Sequence, residues 1–211
     1  MIELYAITAA AGPPLPTALA LHAVSLGDLA AICAPAQEEE REITADTLWR
    51  HEQVVETLMK DRDLLPVRFG TRLDDDAAAA RSLAGRRDEF KRALEHVRGA
   101  VELSVRAVFL DTVGGVEPTG KAGADYLRLK RRITAAQETV ASAVHEPLLA
   151  LARAHALRSP RPPAEALRAA YLVDRGAVAG FTALVAQLDE QHPGLQLLCT
   201  GPWPPYSFVG S

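Results

Sequence analysis

Cysteine is scarce in this chain: Cys33 and Cys199 are the only two in 211 residues, far apart and in no C-x-x-C arrangement. That spacing argues against a disulfide framework and gives a zinc site no ligand cluster to start from. The two thiols read as half-buried residues of a reducing cytoplasm. Excess positive charge is also lacking. With 23 Lys+Arg against 27 Asp+Glu the formal net charge is −4, so no whole-molecule field favours nucleic acid, and only local basic patches remain open. No run approaches the roughly 18 apolar residues that a membrane span needs. The start, Met1 to Ile7, has no basic stretch ahead of its apolar residues, so a signal peptide is not expected. The expectation is a cytoplasmic protein, or one bound to a structure inside the cytoplasm.

Catalytic signatures are equally sparse. Gly115 to Ala122, ending Gly120-Lys121-Ala122, comes one residue short of a P-loop between an apolar strand and a helix, with Asp111 after the strand. Ala122 and Gly123 offer no hydroxyl for a magnesium ion, so the segment reads as a glycine-rich interdomain loop, with a nucleotide-binding protein using residues 115–122 as the alternative. His51-Glu52 opens like H-E-x-x-H, but the fifth position is Val55, so the second zinc ligand is missing and His51 reads as an ordinary helix residue. No G-x-S-x-G elbow occurs. No catalytic, cofactor-binding or metal residue is assigned, and no cofactor is expected.

What is present is an ordinary globular composition, 48% hydrophobic and 24% charged. Residues 2–8 read as a buried strand, and the runs 19–25 and 29–33 around Gly27-Asp28 suit a hairpin. The polar run 37–42 reads as a solvated connection. A helix is expected from the cap Asp46 to about Arg62, with Leu48, Val55, Leu58 and Met59 on its buried side. Residues 64–69 read as extended, Asp74 to Asp76 as helix-start acids, 87–97 as a helix, and 101–110 as a strand whose far end is apolar on both faces. Residues 114–123 form the natural boundary. A long helix follows from about Ala124, with a heptad-like seam of Tyr126, Leu129, Ile133, Ala136, Val140 and Ala143. Its alanines favour packing within the monomer. The helix is expected to kink or restart at Pro147 and continue to about Leu157. A strand over 169–173, a helix capped by Asp174 and carrying Val178, Phe181, Leu184, Val185 and Leu188 on one face, and a strand over 195–198 complete an α+β pattern.

Several segments in order resemble one family. They are Leu4-Tyr5-Ala6-Ile7, Arg50-His51-Glu52-Gln53-Val54-Val55-Glu56, Leu65-Pro66-Val67-Arg68-Phe69-Gly70-Thr71, residues 99–105, Gly123 to Arg131, Tyr171-Leu172-Val173, and the ending Thr200-Gly201-Pro202-Trp203-Pro204-Pro205-Tyr206-Ser207-Phe208-Val209. Together they span nearly the whole chain and are similar to the F/L family of gas vesicle proteins. The resemblance implies a non-catalytic accessory or minor structural protein of gas vesicles that binds the major shell protein and supports early shell assembly. It also implies other minor gas vesicle proteins as partners, no nucleic acid, no lipid membrane, and a monomer in isolation, in the cytoplasm and at the gas vesicle. The implied fold is a modified ferredoxin-like N-terminal domain, residues 1–113, followed by a C-terminal α+β domain, residues 114–211, with a long helix and a Pro/aromatic tail. Expected partner contacts are Arg50, Glu52, Arg68 and Arg72 as orienting charges, with Trp203 and Tyr206 as aromatic anchors. The structural alternatives are an Arg68–Glu52 pair and a Trp203–Tyr206 latch over the core.

Overall fold

A computed structural model describes residues 1–36, 43–110, 127, 131, 134, 135, 138–160 and 165–209. The chain divides into two compact units, Met1–Ala100 with Trp203–Ser211, and Val101–Pro202. The polar run 37–42, the boundary expected at Gly114, the segment 115–122 and most of the seam from Tyr126 lie outside the described residues. Among the described residues no helix is long and apolar enough to cross a membrane.

The first unit contains β1 (Ile2–Ala9), β2 (His22–Leu26), β3 (Leu29–Pro35), α1 (Ala45–Met59), β4 (Leu64–Pro66), β5 (Arg72–Leu73), α2 (Asp76–Gly85) and α3 (Arg87–Val97). Its sheet runs β2-β3-β1-β4, with β5 also pairing β1. All the pairs recorded in it are antiparallel. β1 is buried along nearly its whole length, as a central strand covered on both faces must be, and its apolar run is broken only by Glu3 and Thr8. Its register against β3 slips between Leu4 and Ala6, a bulge at Tyr5 that re-aims this side chain. The β2–β3 hairpin turns at Gly27, whose φ of 61° suits glycine. Beside it Asp28 is held by Lys91 at 2.6 Å and Arg87 at 2.7 Å from α3. These two cations keep the Asp28 carboxyl far below the usual carboxylate range.

Two expectations about α1 are corrected. Its N-cap is Thr44, not Asp46, in a reciprocal capping box with Thr47, and the helix ends at Met59. Its buried residues are Thr47, His51, Val55, Leu58 and Met59, whereas Leu48 is 44% exposed. The buried stripe follows the helical spacing and includes two polar residues: His51 meets Glu3 and Val67 inside, and Thr47 is bonded to Thr44 in the capping box. α2 starts as read, with the Asp75 carboxylate accepting from the Ala78 amide at 2.7 Å.

The second unit holds β6 (Ala100–Phe109), β7 (Ala154–Leu157), β8 (Glu165–Asp174), α4 (Val178–Gln191) and β9 (Leu195–Trp203), in the sheet order β7-β8-β6-β9. Its core joins Leu103, Val105 and Ala107 of β6 and Tyr171 and Val173 of β8 to Phe181, Val185 and Leu188 of α4. A π-helical turn, Ala141–His145, precedes a short helical turn, Glu146–Leu149. The widened turn sits where Pro147 can donate no backbone bond. Here the sequence expectation fails: residues 154–157 are a strand, not the end of a helix. They pair with β8, Ala156 opposite Ala170, and Arg153 N–H donates to the Leu172 carbonyl at 2.8 Å. Asp174 makes no cap. It is ion-paired with Arg153, and a 3₁₀ turn, Arg175–Ala177, intervenes before α4. β6 is an inner strand, but its doubly buried part is its start, and Leu110 beyond its far end is exposed.

Candidate functional site

The densest polar chemistry of the first unit lies under α1. His51 is 2% exposed and Glu3, facing it from β1, is 1% exposed. His51 Nε2 donates to the Val67 carbonyl at 2.9 Å, and its Nδ1 lies 3.2 Å from Glu3 Oε1. A carbonyl can only accept, so Nε2 carries a proton and a further proton lies between Nδ1 and the carboxylate. Glu3 Oε2 makes no hydrogen bond among the described residues, and the Arg72 guanidinium stands 3.9 Å from it. Tyr5, turned by the bulge, stacks on the imidazole at 4.8 Å between centroids, and Phe69 meets it edge-on at 5.6 Å. The loop supplying Val67 and Phe69 is fixed to β1 by Val67 N–H to the Tyr5 carbonyl and Leu4 N–H to the Thr71 carbonyl, both at 2.9 Å. Gly70, at φ 77°, makes the turn possible, and the Thr71 hydroxyl closes it on the Arg68 carbonyl at 2.8 Å.

Thus the two segments around His51 and Phe69, distant in sequence, form one packed cluster. Its outer side divides the expected contact residues. Glu52 accepts from the Tyr206 hydroxyl at 3.0 Å, so the chain's end is tied to α1. Burial, and then Glu52, push the Tyr206 phenol well above its usual range. Pro204 and Pro205 are buried beside it, and Phe208 N–H donates to the Pro205 carbonyl at 3.1 Å. The Arg68–Glu52 pair does not form: Arg68 is exposed, and the Glu52 carboxylate faces Tyr206 instead. Arg72 is turned toward Glu3. Arg50 is exposed on α1, and Trp203 is 40% exposed. Sequence reading missed three exposed apolar residues at or just before the start of α1: Ile43 is 82%, Leu48 44% and Trp49 61% exposed. Their signal was a tryptophan next to a leucine on a helix whose buried face was already filled.

The comparisons with known proteins give the chain's family and fold. The family model for gas vesicle synthesis protein GvpL/GvpF matches residues 4–210. The chain belongs to that family. It is 33% identical to gas vesicle protein L of Streptomyces sp. (strain CB03234), covering 89% of this chain and 78% of that protein. It is 30% identical to gas vesicle protein F of the same strain, covering 93% and 89%. The crystal structure of GvpF from Anabaena sp. PCC7120 shares the fold at a TM-score of 0.84 and 19% identity, covering 100% of this chain and 96% of that one. Both the L and the F names thus occur among the relatives of this GvpL/GvpF family chain. The family is one of gas vesicle structural and assembly proteins rather than a known enzyme family.

Burial also shifts two thiols and one imidazole of this family chain. Burial pushes the Cys33 thiol up to about 11 and the Cys199 thiol upward, which keeps both as unreactive thiols at neutral pH. In the second unit His145 Nδ1 is hydrogen-bonded to the Tyr171 hydroxyl at 2.6 Å, with the His155 ring 4.9 Å away. Burial, and then His155, hold His145 below its ordinary 6.5, against a smaller opposing effect of Glu146. The folded state therefore resists a proton that the unfolded chain accepts, so this stability is present above about pH 6.5 and is lost as pH falls below it. Thermal melts at pH 7.5 and 5.5 should show a drop in Tm on acidification that is smaller in His145→Gln. An equal drop in both proteins would assign the acid sensitivity to other groups.

Proposed function

We propose that this chain is a non-catalytic assembly protein that binds the apolar face of the major gas vesicle shell subunit and delivers it early in shell growth. The observation that carries the reading is the exposed apolar group at the N-terminal end of α1, Ile43, Leu48 and Trp49, with Trp203 exposed on the same unit. A subunit destined to line a gas space presents a large apolar face that aggregates in water before assembly, and a partner with aromatic anchors can cover it. Arg50, beside Trp49, and Arg68 are the orienting charges still at the surface. Glu52, Tyr206 and Arg72 have a different part in this reading, holding α1 and the tail in place. Other minor gas vesicle proteins are the further partners, and the cytoplasm and the gas vesicle are the places of action. The first unit is also inferred to be a modified ferredoxin-like domain, a reading supported by its antiparallel β2-β3-β1-β4 order.

Co-expression with the major shell protein tests the proposal. A tagged wild-type copy should keep the shell protein in the supernatant and co-purify with it. The double change Leu48→Ser, Trp49→Ser should cut recovery about tenfold, the loss of one aromatic hot spot or more. Shell protein that sediments equally with and without its partner would rule out the covering role.

A further inference from the structure

In the second unit a cleft of about 440 Å³ opens beside β7 and β8, with Leu157, Pro160, Ala166 and Leu167 as its apolar lining. His145, which closes the π turn, lines it too and is only 8% exposed. The His145 Nδ1 lies 2.6 Å from the Tyr171 hydroxyl, and neither side chain makes another hydrogen bond among the described residues. That isolation fixes the tautomer. Burial keeps the Tyr171 phenol protonated, and a buried O–H needs an acceptor, which here only Nδ1 supplies. Nδ1 therefore accepts, and in the uncharged imidazole the proton sits on Nε2. Burial, and then His155, favour that uncharged form. Among the described residues the one sealed side-chain atom without a partner is Glu3 Oε2. The Nε2–H of His145 is thus not sealed off, and it opens on the cleft that His145 lines.

We infer that this cleft binds a small apolar molecule ending in a hydrogen-bond-accepting oxygen, its body along Leu157 and the start of β8 and its oxygen on the His145 Nε2–H. Apolar walls, a volume within the usual range of roughly 300–1,000 Å³ and one oriented polar group are the features of a small-molecule site. The oxygen must be an acceptor, because a group that can only donate would leave the Nε2–H without a partner. It need not be charged: a neutral imidazole donates to a carbonyl as it does to a carboxylate. The arginines beside the cleft are not used, and Arg168 is already paired with Glu165. The inference stands apart from the shell-binding reading, which uses α1 in the other unit.

Acetophenone and ethylbenzene, alike in size but differing in the carbonyl oxygen, test it in an NMR titration of the full chain carrying isotope-labelled histidine. Acetophenone should saturate at about millimolar concentration. It should shift the His145 ring signals more than those of His22, His51, His96 and His192. It should also bind about threefold tighter than ethylbenzene or better, as one net hydrogen bond provides. Leu157→Ser should weaken acetophenone about threefold or more through the lost apolar wall. Leu198→Ser, on β9 and outside the cleft, should leave it unchanged. Both leucines are exposed, so these variants keep the fold. The double change His145→Leu, Tyr171→Phe, which strands no hydroxyl, should abolish the preference for acetophenone. No saturable shift at His145, equal affinity for the two compounds, or equal weakening in Leu198→Ser overturns the inference.

Discussion

Replacing His51 with alanine should lower the stability of the first unit by about 3–5 kcal/mol, because it leaves the Glu3 carboxylate buried without its proton-sharing partner. Both tryptophans of the chain, Trp49 and Trp203, belong to that unit, so denaturant unfolding followed by tryptophan fluorescence reads it selectively. The size of the effect comes from burial. Glu3 and His51 are almost fully enclosed, among the described residues the carboxylate has only His51 at hydrogen-bond distance, and Arg72 is too far away to replace it. The Val67 carbonyl also loses its donor. A sharper version is the double change Glu3→Leu, His51→Leu. Removing both partners eliminates the stranded charge, so the pair together should cost less than the sum of the singles by at least about 1 kcal/mol. Strict additivity would mean that the two side chains do not act as a pair.

The consequence for function runs through α1. His51 fixes the helix to β1 and to the Val67 carbonyl, Glu52 holds the tail through Tyr206, and Trp49 and Arg50 lie on the solvent side of the same turns. The segment Arg50-His51-Glu52 thus distributes three tasks over adjacent residues: one faces outward, one locks inward, one latches the chain's end. A helix anchored on its polar residues can leave its leucine and tryptophan free at the surface, which a helix anchored on Leu48 could not.

Elements governed by local pattern were legible in the sequence. The β1 strand, the hairpin at Gly27, the Asp75 cap, α3 with its limits and the buried face of α4 all follow from spacing and turn chemistry within a short window. The errors arose where distant partners decide. Ala154–Leu157 has the alanine and leucine content of a helix, but the ladder to β8 overrides it. On α1, Val55, Leu58 and Met59 are buried as read, but His51 joins them because Glu3 and Val67 meet its ring inside, and Leu48 near the helix start is exposed. One sign was available: Glu3 is a charge within the apolar run Ile2 to Ile7, and a charge in a buried strand requires a partner elsewhere. Among the expected contact residues, sequence could not separate Trp203 from Tyr206, since only the fold shows that the phenol meets Glu52 while the indole is half-exposed.

Phe181→Ala is the corresponding test of the second unit, with an expected loss of about 3–5 kcal/mol. The ring is fully buried, 5.2 Å from the Tyr171 ring, and Tyr171 in turn holds His145 at the end of the π turn. Removing it opens a cavity at the point where α4, β8 and the helical turn before β7 meet, and rigid strands give it little room to collapse. Far-UV circular dichroism in denaturant reads the loss. Phe181→Leu should recover a substantial part of it, because much of the cavity volume is restored. Thr182→Ala, at an exposed position one residue on, should change stability by less than about 0.5 kcal/mol. If Phe181→Ala costs no more than Thr182→Ala, α4 is not packed on this sheet face and the core assigned to the second unit is wrong. If the ordering holds, the acid sensitivity of His145 should shrink in Phe181→Leu, since a looser Tyr171 lets water reach the imidazole and relieves the burial that holds it below its ordinary pKa.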